Sequence, residues 1–153
     1  MTTRLNPFTA APKPMKAWLD FSTGFTAASV LEPKLMELVK IRASQINGCA
    51  NCLYMHTTEA RAAGEREERI YLLDAWREAT FYTDRERAAL AWTEALTRLP
   101  DAGAPDALYD EVRAQFSEEE LAELSLLITV INGWNRVAVG FGIQYKPAVK
   151  AAA

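Results

Sequence analysis

The sequence predicts an all-α fold, a single-domain helical bundle of about seven helices. Three observations predict it. Apolar residues recur at spacings of three and four along most of the chain, the period of a helix with one buried face. Two hydroxyl-x-x-Glu capping boxes, Thr83 to Glu86 and Ser117 to Glu120, announce helix starts. The β-branched run Ile128-Thr129-Val130-Ile131 sits inside a helical period with no turn signal beside it, so it is not read as a strand.

Taken in order, residues 1–13 carry Pro7, Pro12 and small polar side chains and are expected to form an extended, loosely ordered arm. Pro14 suits the first turn of a helix over Met15 to about Ala28, where Trp18, Phe21 and Phe25 share a face. A second helix is expected from Pro33 to Ile46. Leu35, Leu38, Val39 and Arg42 lie along one side of it, and Glu37, Ile41 and Ser44 along another. Asn47-Gly48 stops it, glycine being suited to the left-handed turn after a helix. A third helix begins between Ala50 and Cys52 and ends at Gly64. Ile70, Leu73 and Trp76/Arg77 give a helical face over 65–79. The Thr83 box opens a helix through Leu90, Ala91, Leu96 and Leu99, and 100–105 is expected to be a loop. Pro105 opens a short helix with Leu108, Val112 and Phe116. The Ser117 box opens the longest and most apolar helix, to about Gly140, and the tail 146–153 is expected to be loose.

Bulk properties narrow the function classes. The 153 residues suit one domain, long enough to bury a core without disulfide staples. Half of them are apolar (50%) and 24% are charged, a soluble globular composition. A formal net charge of −3 gives no electrostatic reason to expect nucleic acid as a partner. The first residues lack a charged region followed by an apolar run, so no secretory leader is expected. Leu121 to Val139 is the nearest thing to a membrane span, and Glu123, Asn132, Asn135 and Arg136 interrupt it. A cytoplasmic location is the expectation. In that reducing compartment two close cysteines point to redox chemistry or metal binding rather than to a staple.

Both cysteines, Cys49 and Cys52, and the chain's single histidine, His56, fall in the stretch Glu37 to His56. Cys52 and His56 are four apart and therefore stacked on one helical face. Cys49 stands at the start of that helix, where the positive end of the helix dipole favours thiolate over thiol. The effect is large enough to matter. Lowering a thiol pKa from ~8.5 by about two units raises the thiolate fraction at pH 7 some twentyfold to thirtyfold. His56 can accept the thiol proton, and a carboxylate can orient it. Glu37 is the candidate, because the turn at Asn47-Gly48 folds its helix back beside the next one. Cys49, Cys52, His56 and a carboxylate would equally make a four-ligand zinc set, and the dithiol alone could serve a non-enzymatic redox sensor. A thioredoxin-type motif is disfavoured because its neighbours here are helical. In the last helix, Asn132, Trp134 and Asn135 are read first as buried packing with satisfied amides.

Glu37, then Cys49-Ala50-Asn51-Cys52, then His56, with small residues Ala60 and Gly64 beyond, resembles the alkylhydroperoxidase D core of the carboxymuconolactone decarboxylase superfamily. The likeness covers roughly residues 30–100. The flanks, with Trp18 and the Asn132–Arg136 segment, are similar to single-domain members of about this length. It implies an alkylhydroperoxidase D-like helical fold and a two-cysteine, peroxiredoxin-type peroxidase. Cys52 would be the attacking thiol, Cys49 the resolving one, and Glu37 and His56 the proton relay, with no metal or organic cofactor. The resulting disulfide would need an external dithiol donor, a lipoyl or thioredoxin-like protein. A homo-oligomer, trimer or hexamer, is also implied, and lactone decarboxylation is the alternative within the superfamily. The best-studied peroxidases of this type carry a second histidine between the cysteines. Asn51 stands there in this chain and cannot take a proton at neutral pH, which predicts a slower relay.

Overall fold

The computed structural model describes residues 4–145, Ala102 by its backbone alone. Among these residues there are nine α-helices, one 3-10 turn and no strand. They are α1 (Pro7–Ala10), α2 (Pro12–Ala28), α3 (Pro33–Ile46), α4 (Ala50–Ala62), α5 (Glu67–Tyr71), the 3-10 turn Leu73–Ala75, α6 (Asp84–Thr97), α7 (Leu99–Ala102), α8 (Asp106–Arg113) and α9 (Glu118–Phe141).

The helix α3 is the axis of the bundle. Its residues Leu35 to Ser44 are buried on nearly every side apart from Glu37, which is partly covered. Three apolar clusters meet on it. Leu35, Met36 and Val39 pack with Trp92 of α6, Val112 of α8 and Leu121, Leu124, Leu127 and Ile128 of α9. Leu38 and Ile41 pack with Ala60 of α4, Ile70, Leu73, Trp76 and Leu90. Ala43 packs with Cys49, Cys52, Ile131 and Ala138. Each fully buried leucine or isoleucine in such a core contributes roughly 1.5–3 kcal/mol relative to an exposed one.

The helix starts follow local chemistry. Both capping boxes are formed, with Thr83 and Glu86 bonding reciprocally ahead of α6 and Ser117 and Glu120 ahead of α9. The helix α9 is long and apolar enough to cross a membrane by length and composition. Here its inner face is spent on the core, and its buried amides are hydrogen-bonded. The amide of Asn47 donates to Asn132 (3.0 Å) and Asn135 (2.9 Å), Asn132 donates to Thr97 (2.9 Å), and Asn135 donates to Ser44 (3.0 Å). These bonds tie α9 to the end of α3 and to α6.

Several elements differ from the sequence expectation. The arm is not extended throughout, because Asn6 caps α1 by accepting from the Phe8 N–H (2.9 Å) and α2 begins at Pro12. Arg4 also reaches across to the carbonyls of Val139 (3.1 Å) and Gly140 (2.7 Å) at the end of α9. The segment 65–79 is not one helix but α5 and a tighter 3-10 turn. Tertiary anchors set that turn, since Asp74 pairs with Arg42 and the Trp76 indole N–H donates to Glu94 (2.9 Å). The expected buried face nevertheless forms, through Ile70, Leu73 and Trp76. Part of the loop 100–105 is the one-turn α7. The face of Trp18, Phe21 and Phe25 on α2 is only half covered; Phe25 packs against the core, while Phe21 stacks on Trp18 and Phe25, and Trp18 meets Trp134 at a tilt. The tail 146–153 lies outside the described residues.

Candidate active site

The turn between α3 and α4 decides where the two sulfurs stand. Gly48 takes a left-handed conformation (φ 64°). The N–H of Gly48 then bonds to the carbonyl of Gln45 (3.2 Å) and that of Cys49 to Ser44 (3.0 Å), closing the end of α3. Cys49 is therefore fixed by the helix it follows. It is also the N-cap of the helix it precedes, its Sγ accepting from the Cys52 N–H (3.3 Å) and its carbonyl from the Leu53 N–H (2.9 Å). Cys49 and Cys52 are joined as a disulfide with their Cα atoms 5.4 Å apart. Both are buried, 1% and 4% exposed, against Ala43, Ile131, Ala138 and Ile143.

His56 lies one turn further along α4 and is also buried. It is four residues after Cys52, a spacing that puts the two on one face of the helix. Its Nδ1 lies 3.1 Å from Glu37 Oε2, so the expected contact across the helix pair is present. The same nitrogen lies 3.0 Å from Glu59 Oε2. With Nδ1 turned to carboxylates, that nitrogen keeps its proton and Nε2 is where a proton is gained or lost. Burial disfavours the imidazolium, but the hydrogen bonds to Glu37 and Glu59 outweigh it despite the opposing Lys40 charge. The pKa of His56 consequently lies above the ordinary histidine value. The hydrogen bond from His56 holds the Glu59 carboxyl below its ordinary value, against a smaller effect of burial.

Two members of this constellation were not read from the sequence. Glu59 follows His56 by three, and Lys40, which pairs with the other oxygen of Glu37, follows Glu37 by three. That spacing puts each on its neighbour's face, and it was the available signal. Glu37, His56 and Glu59 present ligand atoms within 4.8 Å of one another, but the ammonium of Lys40 already serves Glu37 as its cation. The zinc set of Cys49, Cys52, His56 and a carboxylate is not assembled in this oxidised form, because each sulfur is bonded to the other. Asn51, partly exposed between the cysteines, turns its amide toward Met55 Sδ at 3.9 Å, the far limit of a sulfur contact.

Residues 12–95 match the carboxymuconolactone decarboxylase family. The uncharacterised protein YdfG of Bacillus subtilis is 44% identical over 142 residues, 93% of this chain and 96% of that one. A solved structure from Agrobacterium tumefaciens, described as a candidate AhpD antioxidant defence protein of unknown function, superposes with a TM-score of 0.91 at 42% identity. It covers 96% of this chain and 100% of that one. The debrominase Bmp8 superposes at 0.81 over 92% of this chain and 75% of its own, but at 21% identity, which shows the fold alone. With more than half its length matched and the same fold in a neighbour of 42% identity, the chain belongs to the carboxymuconolactone decarboxylase family, as an alkylhydroperoxidase D-like member.

Proposed function

We propose that this protein is a thiol-dependent hydroperoxide reductase. The observation that carries the reading is the Cys49–Cys52 disulfide at the start of α4, one turn from a histidine whose Nδ1 is held by carboxylates. In the reduced enzyme the Cys52 thiol gives its proton to His56 Nε2, and the electron pair stays on sulfur. The thiolate attacks the distal peroxide oxygen and the O–O bond breaks. The alkoxide leaves with one proton, and Cys52 becomes a sulfenic acid. The thiol of Cys49 then displaces hydroxide from that sulfur. The S–S bond closes and water departs with the thiol proton. A dithiol donor, lipoyl or thioredoxin-like, supplies two electrons and two protons to restore both thiols.

The test is peroxide consumption under excess dithiol. Wild type is expected to turn over repeatedly, and Cys52→Ser to lose all consumption above background. Cys49→Ser is expected to turn over more slowly, because its sulfenic acid is reduced only by direct attack of the external dithiol. Wild-type consumption no greater than that of Cys52→Ser would show that the chain is not a peroxidase under these conditions, and a stoichiometric redox switch would take its place.

We also propose a homo-oligomer. Exposed Phe8 and Phe21 beside half-buried Trp18 and Trp134 form an aromatic strip suited to a second copy. Light scattering showing a monomer at micromolar concentration would exclude it.

A further inference from the structure

His56 Nδ1 faces two carboxylates at nearly equal distance, 3.1 Å to Glu37 and 3.0 Å to Glu59. They differ in what else they hold. The second oxygen of Glu37 takes the ammonium of Lys40, and that pair is nearly buried, with side chains 13% and 11% exposed. Seen from the imidazole, Glu37 and Lys40 together are close to neutral. Glu59 is paired with His56 alone among the described residues, and its side chain is 53% exposed. The charged groups acting on His56 are thus two from α3, Glu37 and Lys40, and one from its own helix, Glu59. Lys40 offsets the charge of Glu37, which then acts on the ring chiefly as a hydrogen-bond acceptor, and Glu59 is the carboxylate on His56 that no contacting cation other than the imidazolium neutralises.

We propose that Glu59, and not Glu37, is the positioning residue that supplies the counter-charge of His56, while Glu37 with Lys40 forms a neutral hydrogen-bond acceptor that orients the ring. A buried imidazolium without a compensating charge would carry a desolvation penalty and give up its proton. With Glu59 in place the four groups sum to zero when His56 is charged. That is the state His56 must reach after taking the proton of Cys52. The consequence for peroxide chemistry rests on the function proposed above; the consequence for the charge of His56 does not. Because Glu59 stands at the solvent edge, its contribution is also screened by salt, which the buried Glu37–Lys40 pair resists.

The experiment exploits the single histidine of the chain. A proton NMR titration of the imidazole Cε1–H in the full, oxidised chain reads His56 with no assignment problem. Glu59→Gln is expected to lower the titration midpoint by roughly half a pH unit or more, about threefold in the protonation constant. Glu59→Asp is expected to restore most of the shift. The charge-neutral double substitution Glu37→Gln/Lys40→Met keeps an acceptor at position 37 and is expected to lower the midpoint by less than Glu59→Gln does, whereas an equal or larger drop would return the counter-charge to Glu37. A midpoint unmoved by Glu59→Gln overturns the proposal, whatever the double variant does. Should the double variant fail to fold, Glu59→Gln and Glu59→Asp still decide, because Glu59 is half exposed. In the peroxide assay, Glu59→Gln is expected to move the His56-governed limb of the pH–rate profile to lower pH. A shifted titration with no peroxide turnover in wild type would leave this assignment standing and remove the peroxidase.

Discussion

At the level of single residues, the pair His56 and Glu59 couples the site to pH. A histidine whose folded pKa is raised contributes stability below its unfolded value of about 6.5, and that contribution is lost as pH rises through the folded value. A carboxyl whose folded pKa is lowered contributes above about 4.5, and that contribution is lost as pH falls through the folded value. The two windows overlap between these limits, so the pair stabilises the fold most in mildly acidic solution. Glu59 is half exposed, and solvent screening holds the expected contribution below about 1 kcal/mol. Urea unfolding of wild type and Glu59→Gln should therefore diverge at pH 5.5 and converge near pH 9. An equal difference at both values would show that Glu59 acts on the fold by something other than this ion pair. The residues needed for this reading were only partly legible. His56 and the cysteines are scarce and stand out on spacing alone. Glu59 and Lys40 are common surface types at common helical spacings, and only the approach of α3 to α4 selects them from the other charged residues.

Helix α2 tests packing at the level of the element. Its Trp18 ring lies against Gly133 of α9, where a Cβ would stand 2.6 Å from Cζ2 of that ring. Two effects compete on Gly133→Ala. Alanine in a helix interior is favoured over glycine by about 1 kcal/mol. Forcing the indole away costs roughly 1–3 kcal/mol, and that ring is hemmed in by Phe21 and Trp134, both centroids 6.0 Å away. The clash should win, giving a net loss of about 1 kcal/mol with a changed tryptophan emission. Thermal melts showing Gly133→Ala as stable as wild type or more so would mean that α2 lifts away at little cost. The elements themselves divide by the strength of their local signals. Capping boxes, Pro33, Pro105 and the Asn47-Gly48 turn act within a few residues, and α3, α4, α6, α8 and α9 are placed by them. The break between α5 and the 3-10 turn is set by Arg42 and Glu94, both distant in sequence, and has no local signature. The one-turn helices α1 and α7 rest on proline and caps too brief to show a period.

The molecule as a whole holds its helices together through a polar hub as well as three apolar clusters. Arg42 on the central helix and Glu94 on α6 are 5% and 8% exposed and lie 2.8 Å apart. Glu94 also accepts from the Trp76 indole (2.9 Å) and Arg77 (2.5 Å), and Arg42 reaches Asp74 and Gln45. One carboxylate thereby joins α3, α6 and the segment after α5, and no sequence period could have assembled those partners. Burial alone would make Glu94 harder to ionise. The hydrogen bonds from Trp76, Arg77 and Arg42 outweigh it and hold the carboxyl below its ordinary value. The contribution of Glu94 is therefore present above about pH 4.5 and is lost as pH falls through the folded value. Glu94→Leu would leave the indole N–H without its acceptor and Arg42 with only the exposed Asp74 to balance it, at a cost of about 3 kcal/mol near neutral pH. Denaturant melts should show that deficit at pH 7 and a smaller one once the pH has fallen through the folded value, where wild type protonates the same carboxylate. A deficit under about 1 kcal/mol at pH 7 would mean that the apolar clusters carry the helix assembly and the hub only fixes its register. A deficit that stays constant through the acid titration of Glu94 in wild type would place the loss in packing rather than in charge.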